Sequence, residues 1–186
     1  MESQRQLAVI SGGSRGLGYE VAQALGSQGF DLALIAKDKD RLNEAANKLS
    51  NLYPGITVTS FSVDLADISA TRQTAQRISS ELPTPNVLVL AHGVMSEKMS
   101  KTLRTTDEEW RRVLSINLDS VFTLTNGIAP AMAEARIGRI IIFSACLGRM
   151  SGPGNAGGLA PYRISKAGVN AFVRNLAHET GLGARG

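Results

Sequence analysis

Ser11-Gly12-Gly13-Ser14-Arg15-Gly16-Leu17-Gly18 is the stretch whose reading decides the fold. It follows the apolar run Leu7-Ala8-Val9-Ile10, which is short enough for a buried strand. It precedes a helical pattern with Val21, Ala24 and Leu25 on one side and Glu20, Gln23 and Gln28 on the other. Glycines at 12, 16 and 18 let a backbone turn sharply and come close to a phosphate. The start of the helix behind them offers unpaired N–H groups and a partial positive charge. A tight turn that binds nothing is the alternative, but it has no need of three glycines so close together. A P-loop is excluded, because Tyr19-Glu20 follow Gly18 where a lysine and a hydroxyl residue are required. The spacing is G-x-x-x-G-x-G rather than the commoner G-x-G-x-x-G.

The same alternation continues along the chain. Residues 30–36 read as a second apolar strand, and residues 40–52 as a helix with Leu42, Ala45, Ala46 and Leu49 inward. Residues 56–63 form a third strand, entered through Pro54-Gly55. Asp67 caps a helix over 67–82 that Pro83 and Pro85 end. Residues 87–90 make a fourth strand, and a looser segment with Met95 and Met99 runs to residue 105. Thr106-x-x-Glu109 matches a capping box opening a long helix through Trp110, Val113, Leu114 and Leu118, with Pro130 in or near its end. Residues 139–143 are a fifth strand, apolar at consecutive positions, as expected when both faces are covered. Residues 144–160 are a glycine-rich loop, and residues 161–180 a last helix with Pro161 in its first turn. Strands alternating with helices imply a doubly wound α/β fold, a parallel sheet with helices on both faces. Ligands of such sheets bind at the C-terminal strand ends, near a topological switch point.

Composition sets the outer limits. The 186 residues fit a single domain, 1–186, with 43% hydrophobic and 19% charged residues. No apolar run reaches membrane-spanning length, and Met1-Glu2-Ser3-Gln4-Arg5 lacks a signal-peptide profile. The single cysteine, Cys146, excludes an internal disulfide framework and suits a reducing cytoplasm. Two histidines, His92 and His178, with one cysteine suggest no metal site. The net charge of +4 comes from scattered residues, so neither nucleic acid nor membrane is an expected partner.

Tyr162-x-x-x-Lys166 is the late motif that bears on chemistry. Residues four apart on a helix share a face, so the phenol and the ammonium lie side by side. A phenol titrates near pH 10 and is a poor acid–base catalyst at neutrality, whereas a neighbouring ammonium favours the phenolate. Such a pair is also common on helix surfaces, and its weight comes from occurring together with the glycine turn.

Taken together, these residues resemble the short-chain dehydrogenase/reductase family over essentially the whole length. Gly12-x-x-x-Gly16-x-Gly18 has the cofactor spacing of that family. The resemblance implies a Rossmann-like fold in which Gly12, Ser14, Arg15, Gly16, Leu17 and Gly18 bind the cofactor. Asp64 and Leu65 would lie at its adenine, and Ala91 and Gly93 beside it. Asn117, in Ile116-Asn117-Leu118, matches the asparagine that supports a proton-relay water. Tyr162 matches the catalytic tyrosine, and Lys166 the lysine that holds the nicotinamide ribose and lowers the tyrosine pKa. The implied reaction is hydride exchange between a nicotinamide and a carbonyl or alcohol of a small molecule. A homo-oligomer is implied through the long helices around Asn117 and Tyr162, although Leu114, Leu118, Ile164, Phe172 and Leu176 are equally explained by packing on the sheet.

The chain departs from the family pattern at three places. The serine expected after strand five falls on Ala145, in Ser144-Ala145-Cys146-Leu147-Gly148. Losing a donor to a developing oxyanion costs on the order of a hundredfold in rate, and Ser144 points to the opposite face if the strand continues. The Asn-Asn-Ala-Gly after strand four reads Leu90-Ala91-His92-Gly93, with His92 expected to be packed or half-exposed. The chain ends at Leu182-Gly183-Ala184-Arg185-Gly186, where members usually continue into two more strands. By that comparison the sequence resembles a C-terminally truncated or partial member, and strand five becomes an unprotected edge.

An acid at the end of strand two would bind the ribose 2′-hydroxyl of NAD(H). Here strand two ends Ile35-Ala36-Lys37, and Arg15 stands in the glycine turn. Two cations favour a 2′-phosphate, so NADP(H) is preferred over NAD(H), with Asp38 facing solvent. The expected function is an NADP(H)-dependent oxidoreductase. Its alternative is a dinucleotide-binding module with little turnover, suggested by Ala145 and the missing end.

Overall fold

In the computed structural model of the chain, residues 5–97, 101–149 and 158–181 are described. The remainder of the glycine-rich loop, 150–157, and the ending 182–186 lie outside them. The backbone forms two compact units, one drawn from Met1–His92 and Thr123–Phe143, the other from Gly93–Phe122 and Ser144–Gly186.

The first unit holds the sheet. Its strands are β1 (Leu7–Ser11), β2 (Asp31–Ala36), β3 (Val58–Ser62), β4 (Val87–Leu90) and β5 (Arg139–Ile142), all parallel in the order β3-β2-β1-β4-β5. The helices α1 (Gly16–Gly26), α2 (Lys39–Leu52) and α3 (Ile68–Glu81) follow the first three strands, and α5 (Ser120–Ala135) precedes β5. Side chains alternate across the sheet. On one face Ala8, Ile10, Leu32, Leu34 and Val89 join Ala22, Leu42 and Leu49 of α1 and α2 in one buried cluster. On the other, Val9, Ile35 and Leu88 are fully buried as well. Each such aliphatic side chain contributes roughly 1.5–3 kcal/mol by leaving water. Helices α3 and α5 lie against each other so closely that a Cβ at Gly127 would stand 2.6 Å from the Cβ of Ala75. Ser79 donates to the Gly127 carbonyl at 2.8 Å across the same contact.

The caps explain where the helices begin. Asp38 accepts from the Arg41 amide at 3.0 Å and opens α2 one residue before the sequence start at 40. Asp67 accepts from the Ala70 amide at 2.9 Å and opens α3 as expected. Asp38 faces solvent as expected and in addition caps the helix.

Strand β5 also differs from expectation. Arg139 and Ile141 are exposed, and Ile141 keeps 45% of its surface in water. Residues 139 and 141 share one face, which is left open among the described residues, while Ile140 and Ile142 on the other face are half-buried.

The second unit contains α4 (Asp107–Leu114), the beginning of α5 and α6 (Ala160–Thr180). The long helix expected from residue 106 is interrupted by a π-helical turn over Ser115–Asp119. Only half of the capping box forms: Thr106 accepts from the Glu109 amide at 3.2 Å, while the Glu109 carboxylate turns elsewhere. Pro130 lies inside α5. The turn Cys146–Gly148 packs on α6, where a Cβ at Gly148 would stand 2.7 Å from the Lys166 backbone.

Candidate functional site

Sequence order 3-2-1-4-5 reverses direction between β1 and β4, so a crevice opens at the C-terminal ends of those two strands. The glycine turn occupies this position in the first unit. The Gly12 and Gly13 amides both donate to the Ile35 carbonyl, at 2.8 and 3.3 Å, tying the turn to the end of β2. Gly12 has φ +71°, and a Cβ there would lie 3.0 Å from the His92 amide nitrogen. A Cβ on Gly18 would fall 2.3 Å from the Gly12 carbonyl oxygen, so only glycine lets α1 start directly on the turn. Gly16 has φ +57° and open space where its Cβ would point.

These glycines, which the sequence grouped by spacing alone, do three different things: one admits β4, one admits the turn itself, and one supplies a left-handed backbone beside empty space. Arg15 stands at the N-cap of α1 with no side-chain cap bond among the described residues, so the first-turn N–H groups face outward unsatisfied by it. Ser14 is half-buried, and Arg15 and Leu17 are exposed, Leu17 to 64%. A left-handed turn, an uncapped helix start and open space form a donor set that fits the pyrophosphate of a dinucleotide.

Beyond the turn, Lys37 and Asp64 had separate expected tasks, and the structure joins them. The Lys37 ammonium lies 2.7 Å from an Asp64 oxygen, with 75% and 39% of the two side chains exposed. Asp64 also accepts from the Ala66 amide at 3.0 Å. The Lys37 hydrogen bond, chiefly, holds the Asp64 carboxyl below its ordinary range; burial opposes it, and the Ala66 amide adds to the lowering. Exposed pairs of this kind are worth about 0–1 kcal/mol, so Asp64 holds Lys37 only weakly. Leu65 is buried. Ala91 donates its amide to the Ser11 carbonyl at 3.2 Å. His92, 8% exposed, shares a short hydrogen bond between its Nδ1 and the buried Ser11 hydroxyl, in agreement with the packed reading.

The second unit gathers the other set. Asn117 sits fully buried in the middle of the π-helical turn. Its Oδ1 accepts from the Val94 amide at 2.8 Å and its Nδ2 donates to the Val94 carbonyl at 2.9 Å, so one side chain pairs both backbone groups of that residue. Nδ2 also donates to the Ser165 hydroxyl at 3.1 Å. A Cβ on Gly93 would stand 3.4 Å from both the Asn117 Oδ1 and the Lys166 Nζ, which places all three residues together. Lys166 is 4% exposed, and burial lowers its pKa below the ordinary lysine value.

Tyr162, half-buried, stands one turn before Lys166 on α6. Its phenol differs from expectation. Burial, and secondarily Cys146, raise its pKa, so in the unliganded chain the lysine does not draw it down. Burial penalises the charged phenolate, which moves the value up. Ser144 is engaged elsewhere, its hydroxyl donating to the Lys166 carbonyl at 3.3 Å, and Ala145 offers no donor of its own. Ser165 and Ser11 were not among the residues the sequence pointed to. A serine three residues after Tyr162 in a helix was the available sign, because such hydroxyls bond back to the preceding turn.

Among the described residues, no group of three His, Cys, Asp or Glu side chains could hold a metal ion. No helix of the described residues is long and apolar enough to cross a membrane.

Comparison with known proteins bears on both sets. The profile of the short chain dehydrogenase family matches residues 6–182. The 3-oxoacyl-(acyl-carrier-protein) reductase of Escherichia coli (strain K12) is 30% identical over 179 residues, covering 96% of this chain and 69% of the relative. A metagenomic short-chain oxidoreductase solved in complex with NADP is 29% identical with a TM-score of 0.84, over 94% of this chain and 75% of that one. L-Sorbose reductase from Gluconobacter frateurii, solved with NADPH and L-sorbose, is 25% identical with a TM-score of 0.84, over 95% and 64%.

Proposed function

The chain belongs to the short-chain dehydrogenase family, and from that premise we propose that it interconverts a small-molecule carbonyl and its alcohol with NADP(H), Tyr162 moving the proton. Membership makes it an oxidoreductase that works with a nicotinamide dinucleotide. The bound nicotinamide supplies the hydride that the carbonyl carbon gains, and the protein supplies the proton that the oxygen gains. A phenol held above its ordinary value is protonated at neutral pH, so Tyr162 is suited to donate from Oη to that oxygen. Lys166, buried beside Gly93, holds the ribose, and Asn117 connects the site to solvent. The convergence of Gly93, Asn117 and Lys166 in the unit whose last helix also bears Tyr162 carries this reading.

Preference for NADP(H) is supported by Arg15 at the start of α1 and the exposed Lys37 at the end of β2. It is supported also by Asp38, whose carboxylate is committed to capping α2 rather than to a ribose hydroxyl. Solved relatives carrying NADP and NADPH agree with it. A homo-oligomer is supported by the apolar surface left in water at Phe122, Ile164 and Val173.

A second reading, dinucleotide binding with little turnover, is favoured by one observation. Ala145 stands where the family places its serine, and Ser144 is occupied by the Lys166 carbonyl.

NADPH oxidation with a 3-oxoacyl thioester, a ketose and a simple aldehyde decides between the two readings. Carbonyl-dependent turnover is expected, with Tyr162→Phe losing about a hundredfold or more in kcat while NADPH still binds. Turnover undiminished in Tyr162→Phe would overturn the mechanism. NADPH binding without turnover in the parent would leave the second reading standing.

A further inference from the structure

We propose that Ser165 is a positioning residue for this reaction: its buried hydroxyl joins the Asn117 amide to the Tyr162 carbonyl and fixes the helical turn that carries the phenol. The proposal rests on the reading above.

Three observations carry it. Ser165 is fully buried and its Oγ donates to the Tyr162 carbonyl at 2.7 Å while accepting from the Asn117 Nδ2 at 3.1 Å. The polarity of this chain is determined throughout. The Asn117 amide cannot be flipped, because its oxygen is committed to the Val94 amide and its nitrogen to the Val94 carbonyl. Its remaining N–H therefore points at Ser165, and the single proton of the serine is left for Tyr162. The Val94 backbone, the Asn117 amide, the Ser165 hydroxyl and the Tyr162 carbonyl form one series in which every donor and acceptor is assigned.

The third observation is the local weakness that this series offsets. Tyr162 is the third residue of α6, and helix ends fray. The N-cap residue Leu159 has a left-handed backbone, φ +60°, and gives no side-chain cap bond. Pro161 contributes no amide. The Arg163 amide donates to the Leu159 carbonyl at 2.9 Å, but with no side-chain cap the first turn of α6 is tied to the π-helical turn through Ser165. A phenol that must meet a carbonyl oxygen within hydrogen-bond reach needs that restraint more than a surface residue would.

Ser165→Ala removes one oxygen from a buried site and is expected to fold as the parent does, which its circular dichroism checks. Two measurements on the full chain test the role. Hydrogen exchange of unliganded protein is expected to quicken at the first turn of α6 in Ser165→Ala relative to α1, whose amides serve as the internal reference. With NADPH and a 3-oxoacyl thioester, kcat is expected to fall about ten- to hundredfold, as for a misplaced catalytic group, with KM for NADPH within about twofold. A purely structural defect would weaken NADPH binding and kcat together. The Asn117→Ala effect on kcat is expected to shrink in the Ser165→Ala background, because both act through one series. Unchanged kcat in Ser165→Ala, additive effects of the two substitutions, or unchanged exchange in α6 would each overturn the proposal while the oxidoreductase reading stood. A parent chain with no carbonyl-dependent NADPH oxidation would instead remove that reading, and this role with it.

Discussion

Lys166 and Tyr162 show how little of a site's electrostatics residue identity alone conveys. Four-residue spacing places them on neighbouring turns of α6, but the direction of each titration follows from burial. Burial lowers the lysine and raises the tyrosine, to which Cys146 adds. For carbonyl reduction, the tyrosine must be protonated and the lysine charged. Rising pH therefore removes the lysine proton on the near side of its ordinary value and the tyrosine proton on the far side of its own. The basic limb of kcat/KM for NADPH, which reports the free enzyme, is accordingly expected to belong to Lys166. Cys146→Ser, which removes the smaller cause acting on Tyr162, is expected to leave that limb in place. A limb that moves to lower pH in Cys146→Ser would assign it to the tyrosine. The identities of Tyr162, Lys166 and Asn117 were legible from sequence, since each stands in a spaced motif. Their burial, and the part played by Ser165, depend on contacts between segments 48 residues apart, as between Asn117 and Ser165.

Helices and strands were legible to within a residue or two where local chemistry sets their ends. Asp67 and Thr106 cap as their spacing implies. Asp38, expected only to face solvent, also caps α2 through the 3.0 Å bond from the Arg41 amide. Asp38→Ala is expected to destabilise the chain by about 1 kcal/mol, the usual cost of a lost N-cap. In a domain of this size that lowers the melting temperature by roughly 2–4 °C. Asp38→Asn, which also caps, is expected to restore most of it. Thermal unfolding of the three proteins checks this. An unchanged melting temperature in Asp38→Ala, joined to a loss of NADH binding, would overturn the cap and place Asp38 at the ribose. The π-helical turn at Ser115–Asp119 could not be read in advance. Within it the Asn117 side chain takes both backbone groups of Val94, and nothing in a helical hydrophobic period signals that pairing.

At the scale of the whole chain, two kinds of exposed apolar surface have different consequences. Ile141 lies on β5, whose outer edge has no paired strand among the described residues. Such an edge recruits other chains without limit on their number. Phe122, Ile164 and Val173 instead lie on helices, where a self-complementary patch closes into a discrete assembly. Sedimentation velocity separates the two. The parent chain is expected to show a discrete oligomer together with heavier, concentration-dependent material. Ile141→Lys places a charge on the edge strand, and is expected to remove the heavy material while leaving the discrete species. Ile164→Lys combined with Val173→Lys is expected to convert the discrete species to monomer without affecting the heavy material. A discrete species that survives the paired helix substitutions would place the assembly surface elsewhere on the molecule, and heavy material that survives Ile141→Lys would clear β5 of causing it.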